Sequence, residues 1–179
     1  KVTGVDFEEQ DVITKVGNLK YDYLVIANGS MTNYFGKENF RDKVHPLKRV
    51  VHALDLRSHI LQNFEQAELT QDPEVLKQMM NVVVVGGGPT GVEVAGALAE
   101  LRNHILPKDH PNLDFGQMNI HLVEGTGRLL NGMSDKSGDD ALRYLQSMGV
   151  DVKLNTLVQD YSQGKVSLGA EKIKTDTLN

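Results

Sequence analysis

The sequence predicts a three-layer α/β fold built on a parallel sheet, and three observations carry the prediction. Asn81 is followed by four valines, Val82 to Val85, a β-branched run bounded by glycine that fits a short strand buried on both faces. Gly86, Gly88 and Gly91 then form GxGxxG at the start of a helical pattern. A second apolar run, IHLVE, ends in the carboxylate of Glu124. Strand, glycine turn, helix and strand make a βαβ unit, so the expected class is a Rossmann-like NAD(P)-binding domain with a parallel sheet and an added antiparallel meander.

The elements follow in chain order. Val2–Asp6, Asp11–Thr14 and residues 18–26 are short β segments separated by polar or glycine-containing turns. The third runs as YDYLVIANGS into Asn28-Gly29, residues that tolerate positive φ. Residues up to Pro46 read as loop with a short helix. From Val50, the spacing of Val50, Leu54, Leu61 and Phe64 marks one face of an amphipathic helix. Pro73 opens a second short helix, where proline is accepted in the first turn. After the glycine loop, Val94, Leu98, Leu101 and Ile105 form a stripe on a helix expected to stop before Pro107. Residues 106–117 hold two prolines, Gly116 and His110 and read as an insertion loop. Residues 125–132 form a glycine-rich turn containing Arg128. Ser134 caps a helix using Ala141, Leu142, Leu145 and Met148, which Gly149 ends. Residues 150–154 are the third parallel strand, and 158–161, 165–168 and 171–174 are short antiparallel strands.

Length and composition narrow the function classes. A chain of 179 residues has enough material for one good core, that is one domain plus a piece of another. A formal net charge of -5 offers no field for nucleic acid, and no apolar run approaches the roughly 20 residues of a membrane span. Nothing reads as a signal peptide. Without cysteine, these residues hold no disulfide, thiolate nucleophile or cysteine-ligated metal. The chain opens at Lys1 directly on a strand-like pattern, which suggests a piece excised from a longer protein.

Each glycine of the loop has its own physical reason. Gly86 allows the tight turn off the strand, Gly88 lets a pyrophosphate approach bare backbone, and Gly91 lets the helix pack closely on the sheet. The helix N-terminus adds unpaired N–H groups and a positive partial charge. Gly87, Pro89 and Thr90 complete the expected cofactor loop. Thr90 is either a donor to phosphate or ribose, or simply a helix-start residue. Glu124 lies 36 residues beyond Gly88, and discounting the 12 residues of 106–117 leaves 24, close to the usual interval of about 20 for a ribose-binding acid. Its charge would repel a 2′-phosphate, so NADH is favoured over NADPH. Arg128 is the competing signal, since an arginine nearby accommodates that phosphate; it ranks below Glu124. Glu93 is either a first-turn carboxylate favoured by the helix dipole, or a polar group against the nicotinamide. The six histidines form no HExxH-like pair, although His52 and His59 share a helical face, and no metal is expected. No GxSxG nucleophile elbow is present.

With these residues in place, VVVVGGGPTGVEVAGALAEL, the insertion LPKD and the strand IHLVEG together resemble type II NADH dehydrogenases, the single-subunit NADH:quinone oxidoreductases. The segment YDYLVIANGS resembles the AxG motif of the wider FAD-dependent pyridine nucleotide-disulfide oxidoreductases, with Asn28 where Thr is usual. TNYFG and PLKRVVHALDLRSHIL are similar as well. The resemblance implies a flavoenzyme in which an NADH domain, residues 47–179, interrupts an FAD domain of which residues 1–46 are a remnant. NADH passes a hydride to FAD, and electrons then reach a quinone without proton pumping. By the same resemblance Glu93 is the catalytic-site glutamate near nicotinamide and flavin, Gly86, Gly88 and Gly91 form the pyrophosphate loop, and Glu124 is the ribose acid. Ala27, Asn28 and Gly29 form the turn where the two domains meet. A complete member also carries a second, N-terminal GxGxxG, a later acidic FAD motif and a C-terminal amphipathic membrane anchor, none found in these residues. FAD would therefore be bound mostly elsewhere, and this piece alone would not reduce quinone. The expected location of the parent is peripheral, at the cytoplasmic face of the membrane, with a homodimer left open. Two alternatives stand beside this: a disulfide reductase or NADH oxidase of the same superfamily, and a non-catalytic dinucleotide sensor or interaction module.

Overall fold

The computed structural model describes residues 1–34 and 36–179, and all but the side chain of Glu38 among them. Phe35, within the TNYFG run, lies outside the described residues. The chain forms two compact units, residues 1–31 and 32–179.

The first unit is the expected meander: β1 (Val2–Asp6), β2 (Asp11–Thr14) and β3 (Gly17–Lys20) pair antiparallel in that order. The strand expected over 18–26 stops at Lys20. Beyond it the chain bends at Asp22 and Tyr23 and forms no ladder, and Tyr23, Val25 and Ile26 are exposed. An apolar β-branched sequence becomes a strand only where a neighbour accepts its backbone bonds, and none of the described strands pairs with these residues.

The second unit begins with a 3₁₀ turn at Glu38–Phe40, then α1 (Val50–Ala67), α2 (Pro73–Met79), β4 (Asn81–Val85), α3 (Pro89–Glu100) and α4 (Leu106–Asp109). There follow β5 (Asn119–Val123), α5 (Asp135–Ser147), β6 (Asp151–Lys153), β7 (Asp160–Ser162), β8 (Lys165–Leu168), β9 (Glu171–Lys174) and β10 (Thr177–Leu178). Strands β10-β4-β5-β6 form a four-stranded sheet with every pairing parallel, and β7-β8-β9 form an antiparallel one.

Alternation along β4 divides the core into two layers. Val82 and Val84 face the helices with Ile120, Leu122, Ala95, Leu98 and Leu145, whereas Val83 faces Tyr161, Val166, Ile173 and Phe40 on the opposite side. Within the second unit the parallel sheet is thus sandwiched between the helices and the antiparallel β7-β8-β9 sheet, the three layers expected from the sequence. Local signals also hold at the caps. The Asp72 carboxylate accepts from the amides of Glu74 and Val75, Ser134 Oγ accepts from Ser137 N–H, and Gly149 ends α5 with φ +80°.

Three further expectations, all in the helices, fail. In α1 the buried face is Leu56, Ile60, Asn63, Phe64 and Ala67, whereas Val50 and Leu54 face outward. The first half of this helix carries apolar residues on two faces, so periodicity alone selects the wrong one. In α3 the buried face is Gly91, Ala95, Leu98 and Ala99, with Val94 and Leu101 only partly buried. Small residues bring the helix close to the sheet, a role that a search for large apolar side chains overlooks. The helical path also does not stop before Pro107. A π-helical turn at Leu101–Ile105 leads into α4, which contains Pro107 in its first turn. The extra residue in a π turn rotates the face, leaving Ile105 exposed and sending Leu106 inward at 2% exposure. The expected insertion loop is therefore partly helical, and its Phe115 packs edge-on against Phe64 with ring centroids 5.3 Å apart.

Candidate functional site

The site lies at the carboxyl ends of the parallel strands. β5 and β6 continue from β4 on one side and β10 returns on the other, so strand order reverses at β4 and leaves a crevice there. Backbone bonds fix its floor: Val85 N–H to Asn179 O at 3.0 Å and Gly86 N–H to Val123 O at 2.8 Å.

The glycines differ sharply in surroundings. Gly86 has φ +104°, a conformation that turns the chain off β4 and that side chains rarely adopt. Gly91 lies on the Gly86 carbonyl, so a Cβ there would overlap that oxygen and approach the carbonyl carbon to 3.1 Å. Gly88 has φ −74° and ψ 179°, and a Cβ would meet nothing within 4 Å. Its bareness is not required by any protein neighbour, which suits a backbone approached from outside. α3 starts at Pro89, whose missing N–H costs nothing in a first turn; intrahelical bonding begins with Val92 N–H to Gly88 O at 3.0 Å, so the amides of Thr90 and Gly91 precede it.

Glu124 is tied to this loop. Its Oε2 accepts from Gly87 N–H at 2.5 Å, and its Oε1 accepts from Thr126 N–H at 2.7 Å and faces Thr126 Oγ1 at 2.8 Å. Partial burial pushes its pKa upward, but the donors at Gly87 and Thr126 outweigh burial and hold it below the ordinary carboxylate value. The Gly125 amide also favours the charged form, and the Thr126 hydroxyl lies within reach of Arg128 O at 3.1 Å as well, so that hydroxyl can turn away and free an acceptor position for an outside hydroxyl. A Cβ at Gly87 would lie 3.0 Å from Glu124 Cγ and 2.6 Å from Leu129 Cδ2, so Gly87 is what lets carboxylate and loop meet.

Two cavities open around the loop. One, of about 660 Å³, occupies the crevice and is lined by Gly86, Thr90, Gly91, Val85, Val123, Thr156, Leu157, Leu178 and Asn179, with Tyr34, Phe40, Val44 and Leu47 along another wall. The other, of about 450 Å³, is lined by Gly87, Gly88, Pro89, Leu130, Asn131, Met133 and Arg128. Glu124 and Thr126 line both. The structure therefore gathers Gly86, Gly87, Gly88, Pro89, Thr90, Gly91 and Glu124 at one place. Glu93 is exposed on α3 and lines neither cavity. Ala27, Asn28 and Gly29 belong to the first unit and are exposed, with Gly29 at φ +73°.

Sequence reasoning missed the walls. Tyr34, Val44 and Leu47 carry no local signal of a cavity, because the long-range bonds of His45 N–H to Leu178 O and Asn179 Nδ2 to His45 O bring that segment in. The histidines have structural partners. His45 and His59 stack with centroids 4.4 Å apart, His110 meets Glu68 at 3.1 Å and His121 meets Asp151 at 2.9 Å. Among the described residues no group of three or more metal-ligating side chains comes together.

A family model described as pyridine nucleotide-disulphide oxidoreductase matches residues 1–178. The chain belongs to this family. It is similar to the type II NADH:quinone oxidoreductase Ndh of Mycobacterium tuberculosis, 34% identical over 171 residues, covering 93% of this chain and 37% of that protein. It is similar to the external alternative NAD(P)H-ubiquinone oxidoreductase B3 of Arabidopsis thaliana mitochondria, 33% identical over 162 residues, covering 90% and 28%. Among solved structures it is similar to NDH2 from Plasmodium falciparum in complex with NADH, with a TM-score of 0.78 and 28% identity over 99% of this chain and 38% of that one. The chain thus spans between 28% and 38% of the length of these family members.

Proposed function

We propose that residues 47–179 form the NADH-binding domain of a flavoenzyme that passes a hydride from NADH to FAD and electrons onward to a quinone, without proton pumping. The observation that carries this reading is the ionised Glu124 bonded to the amide of the glycine loop, with an open Gly88 beside it. The relatives named as NADH:quinone oxidoreductases support the reaction. NADH, when bound, supplies the hydride. The residues of this chain do the rest: amides at the start of α3 favour the pyrophosphate, Glu124 accepts from an adenosine ribose hydroxyl, and its charge opposes a 2′-phosphate.

In the same reading residues 1–46 belong with the FAD domain, Ala27, Asn28 and Gly29 turn the chain between domains, and Glu93 lies near the flavin and nicotinamide. Residues 32–46 supply part of the wall of the larger cavity. Peripheral attachment at the cytoplasmic face, membrane contact through a C-terminal region beyond these residues and a homodimer belong to the proposal for the whole protein. No helix of the described residues is long and apolar enough to cross a membrane.

Calorimetric titration with NADH and NADPH tests the reading. Like charges about 5 Å apart at an effective dielectric between 20 and 80 differ by ~1–3 kcal/mol, a preference for NADH of roughly five- to hundredfold. Glu124→Ala should narrow it. Equal affinities in the parent would remove Glu124 from the ribose.

A further inference from the structure

Arg128 and Glu124 line the same 450 Å³ cavity with opposite charges. Whichever meets the 2′ position of the adenosine ribose decides between the two nucleotides. Glu124 presents its carboxylate there, but the guanidinium of Arg128 is engaged elsewhere. Nη1 pairs with the Asp135 carboxylate at the start of α5, and Nη2 donates to Met133 O at 2.7 Å. Nε is buried with no hydrogen-bond partner among the described residues. The side chain is 32% exposed, whereas that of Asp135 is 88% exposed.

The local backbone is shaped around this arrangement. A Cβ at Gly138 would lie 2.7 Å from Leu129 O and 3.7 Å from Arg128 Nε, so α5 reaches the arginine because position 138 has no side chain. The far end of the same loop is tied to the glycine turn by Leu130 N–H to Gly87 O at 2.7 Å. Arg128 therefore sits within reach of the cavity on a fixed loop, and its orientation depends on a carboxylate that water surrounds. A phosphate offers a guanidinium a bidentate partner, but to draw Arg128 into the cavity it must first break the pair with Asp135, a cost of about 1 kcal/mol for a pair so exposed.

We infer that Asp135 is a positioning residue for nucleotide specificity: it engages Arg128 within the 128–133 loop and so withholds from the cavity a cation that would otherwise pair with a 2′-phosphate. This rests on the reading of the cavity as the adenosine-ribose site. Selectivity for NADH then has two sources, repulsion by Glu124 and sequestration of Arg128 by Asp135. The second reaches the ligand only through Arg128.

The test is the ratio of dissociation constants for NADPH and NADH, measured by calorimetry on the full chain. Asp135→Asn keeps the size of the side chain and removes its charge. It should lower the ratio about fivefold, the scale of one exposed ion pair. The double variant Arg128→Gln/Asp135→Asn should return the ratio to its parent value, and the gain in Asp135→Asn should fade with added salt. A merely structural role for Asp135 would weaken both nucleotides alike and leave the ratio at its parent value, which would overturn the inference. So would an equal fall in the double variant. Glu124→Ala separates the two levels. If it fails to narrow the preference, the ribose reading itself is wrong; if it narrows the preference while Asp135→Asn does not, only the role of Asp135 is lost.

Discussion

Adding one methyl group at Gly91 or at Gly88 should have opposite consequences, although the two positions are only three residues apart, in the first turn of α3 and at its N-cap. At Gly91 the new Cβ would overlap the Gly86 carbonyl oxygen, lie 3.1 Å from its carbon and touch Leu122 Cδ1 at 3.5 Å. The Cβ position is fixed by the backbone and the atom it meets is a backbone carbonyl, so no rotamer relieves the clash, and either the turn or the start of α3 must move. That helix buries Ala95 and Ala99 at 0% exposure and Leu98 at 4%, so displacing it loosens the packing on β4 and β5. Overpacking of this kind costs about 1–3 kcal/mol, and a backbone clash belongs at the upper end. For a chain of this length ~3 kcal/mol lowers Tm by roughly 6–12 °C. At Gly88 the backbone is extended, with φ −74°, and a Cβ meets nothing within 4 Å. Gly88→Ala should leave stability within ~0.5 kcal/mol or raise it slightly, since alanine narrows the unfolded ensemble. It should nevertheless weaken NADH about tenfold or more, because the methyl group occupies the space open to the pyrophosphate. The chain has no tryptophan, so urea and thermal unfolding are best followed by far-ultraviolet circular dichroism, with NADH affinity by calorimetry. A Gly91→Ala protein as stable as the parent would refute the packing argument. A Gly88→Ala protein that binds NADH as the parent does would refute the assignment of the open backbone.

Two further outcomes follow from the same structure. Glu124 has a lowered folded pKa, so its contribution to stability is fully present above its ordinary value of 4.5 and is lost as pH falls from there through the folded value. The stability difference between the parent and Glu124→Gln, measured by urea unfolding, should therefore shrink on acidification below about pH 4.5; a difference constant with pH would count against an ionised, hydrogen-bonded Glu124. Arg102 donates to Met118 O at 3.2 Å, to Gly149 O at 3.1 Å and to Met148 O, joining the π turn to the end of α5. Arg102→Met should cost about 1–3 kcal/mol and speed hydrogen exchange at residues 148–150; a loss below ~0.5 kcal/mol would show that water replaces these bonds at little cost.

The sequence by itself determined the elements whose causes are local. The four valines before Gly86 fix β4, because a β-branched run ended by glycine has few other uses. Ser134 and Gly149 bracket α5 because a hydroxyl satisfies a first-turn amide and glycine accepts φ +80°. The loop glycines and Glu124 were legible for the same reason, since spacing and residue type already encode a turn, an open backbone and a strand-end charge. Tertiary structure alone decided which face of α1 and α3 is buried, because Val50 and Leu54 are as apolar as Leu56 and Ile60 and only the position of the sheet distinguishes them. It also decided that YDYLVIANGS past Lys20 joins none of the described strand ladders, since a strand needs a partner that its own residues do not supply. The tie of Glu124 to Gly87, the wall contributed by Tyr34 and Val44, and the engagement of Arg128 by Asp135 likewise depend on residues brought together by folding. Spacing in the chain identified the acid and the arginine as rivals, and only their hydrogen-bond partners in three dimensions separated the carboxylate that faces the cavity from the guanidinium that is occupied elsewhere.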